Sequence, residues 1–113
     1  MPRAMDQEEI ARTFRALSVE SRVRIVQLLS VRTLCVGALS ASLGISAGAV
    51  SQHLRVLKDA HLVEADRRGY YVHYSLRPGA AERCRSVVES LFGPDAGILR
   101  NARARRSAKG RGG

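Results

Sequence analysis

The stretch from residue 36 to 76, VGALSASLGISAGAVSQHLRVLKDAHLVEADRRGYYVHYSL, constrains this chain more than any other part of it. Apolar residues recur at helical spacing over 36–43 and again over 47–60, with Gly44 between the two runs. A helix that stops so abruptly ends in left-handed backbone, and glycine has no Cβ to oppose it. Ile45 plugs the turn and Ser46 caps the next helix; losing such a cap to Ala costs about 0.5–2 kcal/mol. Leu39 and Leu43 are the expected core residues of the first helix, and Val50, Leu54 and Leu57 those of the second. The period then changes from helical to alternating. Residues 62–65 and 70–76 read as two strands joined by a turn at Asp66-Arg67-Arg68-Gly69. Alternation points Val72, Tyr74 and Leu76 inward and Tyr71 and His73 outward. A helix, a tight turn, a helix and a basic hairpin form a unit suited to holding one helix in a DNA major groove while the hairpin reaches a neighbouring groove or the backbone.

Three further helices surround this unit. Asp6 and Glu9 stand at capping-box spacing ahead of an Ile10, Phe14, Leu17 stripe, which predicts a helix over 7–17. Ser18 is placed to cap a second helix over 19–30, with Val19, Val23, Val26 and Leu29 inward and Arg22, Arg24 and Gln27 in water. Thr33, Leu34 and Cys35 lean towards a short strand beside the hairpin. Pro78-Gly79 breaks the chain before a last helix over 80–92 that carries Val87, Val88 and Leu91. The expected fold is therefore mainly α with a small β-hairpin wing (α+β): a winged helix-turn-helix of five helices. Residues 6–92 make up this domain, 1–5 a frayed start and 93–113 a basic, disordered tail.

At 113 residues and a formal net charge of +9, this is one modest, basic domain. Six of those positive charges fall between Arg100 and Arg111, where no acid occurs, which leaves +3 for residues 1–99. Such a balance favours a polyanion, and nucleic acid over membrane. No stretch approaches the roughly 20 apolar residues of a membrane span, and MPRAMDQEEI holds no apolar signal core. A cytoplasmic location follows, and the two cysteines suit a reducing compartment. There is no nucleophile elbow, Gly-rich phosphate loop or paired zinc motif, so the chain does not read as an enzyme.

The surface expected to meet DNA comprises Ser46, Ala47, Gly48, Ser51, Gln52 and Arg55 on the second helix of the motif, and Arg67, Arg68 and Tyr71 on the wing. Small residues at 47–49 let the helix start come close to a duplex, where its dipole and free N–H groups suit phosphate. Gln52 is able to pair with adenine and Arg55 with guanine. The plain alternative is a solvated polar face and a soluble turn.

These residues resemble the ArsR/SmtB family of winged-helix transcriptional regulators over about residues 8–92. FRALSVESRVRIVQLL, LSASLGISAGAVSQHLRVLKDAHLV and RRGYYVHYSL carry the likeness, SQHLRVLK most strongly. The resemblance implies a homodimer joined through the first and last helices, a repressor presenting two recognition helices to an inverted-repeat, double-stranded DNA operator. His61 stands where such sequences usually have Gly, at a position that calls for left-handed backbone. The rival reading is a non-specific nucleic-acid-binding or chromosome-organising protein without a sensor.

LCVGAL resembles the helix-three metal motif of arsenic, cadmium and lead sensors in this family. Cys35 keeps the first thiol, but Gly37 occupies the place of the second, and one thiolate does not make the sulfur shell that soft ions prefer. The family's other site pairs Asp and His ligands on the last helix, which here has no His and offers Glu82, Cys84 and Glu89. The remaining candidate ligands are His61, Glu64 and His73, a set that suits a regulatory nickel or zinc ion. For Cys35 the alternative is a small buried hydrophobe.

Overall fold

Among the described residues, four left-handed positions mark where the backbone changes direction: Gly44 (φ 70°), His61 (62°), Gly69 (65°) and Gly79 (86°). The computed structural model describes residues 5–93. In chain order these form α1 (Gln7–Ala16), α2 (Glu20–Leu29), β1 (Leu34–Cys35), α3 (Val36–Leu43), α4 (Ala47–Asp59), β2 (Val63–Arg68), β3 (Tyr71–Leu76) and α5 (Ala80–Phe92). Five helices and a small antiparallel sheet match the expected winged helix-turn-helix. Apart from Met5 and Gly93, the expected frayed start and basic tail lie outside the described residues.

The chain divides into two compact units. One contains the start of α1, up to Ala11, and α5 from Ala81. The capping box forms there as expected: the Glu9 N–H donates to Asp6 Oδ1 at 2.8 Å, and the Asp6 N–H donates to Glu9 Oε1 at 3.2 Å. Ile10 and Val87 are buried, whereas Val88 and Phe92 stay exposed.

The other unit is Arg12–Ala80. Periodicity assigns Phe14 to the buried stripe of α1, but the structure buries Thr13 and Ala16 and leaves Phe14 exposed. Two neighbouring stripes share the helical period, and the smaller residues face in. The same ambiguity affects α2, where Ile25 and Leu29 are buried and Val23 is exposed. Ser18 does not cap α2. Its hydroxyl donates back to the Arg15 carbonyl at 2.8 Å, and Val19 takes the cap position without a side-chain bond. Arg22, expected in water, is half-buried, and its Nε has no partner.

The sheet order is β1-β3-β2, all antiparallel, with Leu34 opposite Tyr74 and Cys35 opposite His73. Pairing within the hairpin runs from Val63 opposite Leu76 to Arg68 opposite Tyr71. The loop is therefore the two residues Gly69-Tyr70, not the four-residue turn 66–69. Gly69 holds the first loop position with positive φ, as in the type II′ hairpins whose twist matches the strands. Arg67 and Arg68 thus lie within β2 on opposite faces instead of at the tip. His73, expected outward in water, is half-buried because β1 and β2 flank it on both sides.

The end of α4 is locked by two hydrogen bonds. His61 N–H donates to the Lys58 carbonyl at 2.9 Å and Leu62 N–H to the Leu57 carbonyl at 3.0 Å, the two bonds of a Schellman motif. His61 is its left-handed residue, as its position in DAHLV predicts. A side chain there costs about 1–2 kcal/mol. Glycine's own entropic cost recovers roughly 0.5–1 kcal/mol of that. His61→Gly should therefore raise stability by about 0.5–1 kcal/mol, read as a higher urea midpoint. An unchanged or lower midpoint would mean that the 3.2 Å contact between Arg77 and His61 Nδ1 outweighs the backbone strain.

Candidate nucleic-acid interface

Burial of Val50, Leu54 and Leu57 turns one side of α4 into the core and leaves Ser51, Gln52, Arg55 and Lys58 exposed. The helix start is well defined. Ser46 Oγ accepts from the Ala49 N–H at 3.1 Å, and the Ser46 carbonyl accepts from the Val50 N–H at 3.0 Å. Upstream, the Gly44 N–H donates to the Ser40 carbonyl while Ser40 Oγ donates to the Ile45 carbonyl. Ser40 thus ties the end of α3 to the turn, a role that periodicity does not reveal because Ser40 belongs to neither apolar stripe. Ser46, Ala47 and Gly48 are all exposed. A Cβ built on Gly48 would meet only Ser46 Oγ, at 3.9 Å, an ordinary contact. The fold itself does not require glycine at this position.

On the wing, Arg68 Nε donates to Asp66 Oδ2 at 2.8 Å, and both side chains are largely exposed. Such a pair contributes at most about 1 kcal/mol, yet it occupies one of the two guanidiniums. Arg67, on the opposite face of β2, makes no ion pair among the described residues. Tyr71 is exposed as expected. Tyr70 is 97% exposed at the hairpin tip. Its prominence depends on the two-residue loop, which composition does not disclose.

The candidate metal ligands are scattered. Cys35, His73 and Asp66 follow one another across the three strands, with Glu64 two residues before Asp66 on the same face of β2. His73 Nδ1 is buried there without a hydrogen-bond partner. Even so, among the described residues no group of three or more His, Cys, Asp or Glu is placed to hold a metal ion. His61 Nδ1 is engaged by Arg77. Burial pushes the Cys84 thiol above its ordinary range, with Arg83 partly opposing, so Cys84 is disfavoured as a thiolate ligand. A Cβ on Gly37 would lie 4.0 Å from Cys35 Sγ, so what is missing there is the thiol and not the space for one.

The family model for the arsR family of bacterial regulatory proteins matches residues 20–65, from the start of α2 into β2. A cadmium resistance transcriptional regulatory protein CadC homologue from Staphylococcus aureus is 34% identical over 74% of this chain and 68% of its own length. The chain belongs to the arsR family. A transcriptional repressor SmtB homologue from Synechocystis is 40% identical over 65% of this chain, though the match spans just over half of that protein (56%). Among solved structures, the homodimeric winged helix-turn-helix DNA-binding domain of a possible ArsR-family regulator from Mycobacterium bovis superposes with a TM-score of 0.64. It is 26% identical and covers 85% of this chain and 94% of that one. No described helix is long and apolar enough to cross a membrane.

In this arsR-family chain, His53 sits beside the exposed side of α4 and is half-buried. Burial, and then the Arg22 guanidinium, hold its pKa below the ordinary 6.5. The unfolded chain therefore takes up this proton more readily than the folded one. The associated stability is present above about pH 6.5 and declines as pH falls towards the lower folded value. His53→Gln should flatten the dependence of the urea midpoint on pH between about 7.5 and 5.5. An unaltered slope would assign the acid sensitivity to other groups.

Proposed function

We propose that the chain is a sequence-specific transcriptional repressor, acting in the cytoplasm as a homodimer on an inverted-repeat operator. One observation carries this reading: α4 begins with a capped, exposed turn of small residues, including a glycine that the fold does not need. A duplex pressed against that turn supplies the missing reason. Ala47 and Gly48 let the backbone N–H groups and the positive end of the helix dipole approach a phosphate. Gln52, on the exposed side opposite the core, reads an adenine edge in the major groove. Arg67 meets the sugar–phosphate backbone from the wing, joined by Arg68 once Asp66 releases it, with Tyr71 beside them.

Phe14 on α1 and Val88 and Phe92 on α5 are large apolar side chains left exposed in a single chain. Such exposed apolar side chains on each of the two helices support dimerisation through the first and last helices. Two recognition helices then address half-sites about one helical turn, ~34 Å, apart. Footprinting on duplexes selected from a random pool tests the reading. Protection of a short inverted repeat that survives competitor DNA supports it, and uniform coverage favours the non-specific alternative.

A regulatory nickel or zinc ion is the second reading, supported by kinship to a cadmium-resistance regulator and by the Cys35–His73 juxtaposition across the sheet. Among the described residues, one chain does not complete such a site. Titration of the protein with each ion, repeated on His73→Ala, separates the two readings.

Gly48→Ala should stabilise the free protein by up to about 1 kcal/mol, because alanine favours helix. The same change should weaken binding to the selected duplex, since the new methyl group stands where the DNA approaches. A rise in melting temperature with unchanged DNA affinity would show that this turn does not touch the duplex. Gln52→Ala should cost about 1–3 kcal/mol of discrimination at one base position. Arg67→Ala should weaken every sequence alike and lower the salt slope by about 1. Binding curves at several salt concentrations distinguish the two effects.

A further inference from the structure

On one flank of α4, Ser51, Leu54, Arg55, Lys58 and Asp59 border an open cleft of about 510 Å³, completed by Tyr74 of the central strand β3. The helical members recur at one-face spacing, so they form a continuous stripe and not a chance grouping. The volume falls within the roughly 300–1,000 Å³ typical of small-ligand sites. Its chemistry is unlike most of them. Leu54 is the only aliphatic member, and it is almost fully buried. Arg55 and Lys58 are exposed and make no ion pair among the described residues. Three residues apart on a helix, their Cβ atoms lie about 5–6 Å from each other, close enough for both to reach one tetrahedral anion. Two like charges held that close repel, and an anion between them removes the repulsion. The Schellman bonds already occupy the Leu57 and Lys58 carbonyls, which reduces the negative potential that the end of α4 would otherwise present. Asp59 is the single carboxylate of the lining and opposes an anion.

We propose that this cleft is an oxyanion site, in which Arg55 and Lys58 hold one phosphate group beside the hydroxyl-bearing Ser51 and Tyr74, with Asp59 limiting the affinity. Arg55 is then a phosphate ligand and not the reader of a guanine. The phosphate comes either from the backbone of bound duplex or from a small phosphorylated solute that competes with it. Only the first source rests on the DNA-binding reading.

The test uses the full chain and its Lys58→Gln and Asp59→Asn variants, with Arg32→Gln, which removes an exposed cation that does not line the cleft, as a control. Inorganic phosphate and pyrophosphate are titrated into the free protein against chloride at matched ionic strength, followed by the amide resonances of residues 51–59 and 74. The same proteins then bind a short mixed-sequence duplex at several salt concentrations. Saturable shifts that Lys58→Gln weakens about tenfold, that Asp59→Asn tightens and that Arg32→Gln leaves alone establish the site, and competition with the duplex identifies a solute ligand. With no response to free phosphate, the site still stands, as a grip on the DNA backbone, if Lys58→Gln weakens duplex binding, Asp59→Asn strengthens it and the salt slope moves by about 1. No saturable shifts together with unchanged duplex binding by both cleft variants overturns the proposal. Phosphate shifts in a protein that binds no duplex would remove the regulator reading and leave the anion site in place.

Discussion

Everything that reaches outward from this molecule depends on how α4 is held. Val50, Leu54 and Leu57 are drawn into the core, and full burial of each contributes about 1.5–3 kcal/mol. That attraction sets the rotation of the helix about its own axis. Its ends are fixed independently, by the Gly44–Ser46 turn on one side and the His61–Leu62 hydrogen bonds on the other. Rotation and length together decide which side chains face water. Gln52, Arg55 and Lys58 are exposed because their neighbours on the opposite side are not.

The sheet imposes a second, independent constraint. Pairing is antiparallel throughout, so the register of β2 against β3 determines both the loop length and the face on which each side chain stands. A two-residue loop brings Tyr70 to the tip and returns Arg67 and Arg68 to the strand, where alternation sends them to opposite faces. Asp66, on the same face as Arg68, takes that guanidinium, and Arg67 is left available. Two adjacent arginines that look equivalent in the sequence are therefore inequivalent in the fold. β1 adds only two residues, yet it closes the other edge of β3 and leaves His73 Nδ1 buried without a partner.

The cations of the described chain differ in their pairing. Arg55 and Lys58 on α4 and Arg67 on the wing make no ion pair among the described residues, whereas Arg85 on α5 and Arg68 on the wing each have a carboxylate partner. Surface ion pairs add little stability, so leaving Arg55 and Lys58 unpaired costs the fold almost nothing. It leaves a local positive potential, to which the cleft between α4 and β3 gives a defined location and on which the proposed oxyanion site rests.

Much was determined by the sequence alone: the five helices, the glycine turn, the Ser46 cap, the left-handed His61 and the core side of α4. These are local matters of period, capping and backbone sterics, which act between residues a few positions apart. Where two apolar stripes shared one period, as with Phe14 against Thr13 and Val23 against Ile25, local rules offered no choice, and packing took the residues that fitted. Ser18, Ser40 and Arg22 found partners or burial that chain order does not announce. The tip of the wing, the division of labour between Arg67 and Arg68, and the cleft that joins Arg55 and Lys58 to Tyr74 were decided only by tertiary structure. Each depends on strand register or on a helix lying against a sheet, and such contacts join residues whose separation along the chain carries no signal of their meeting.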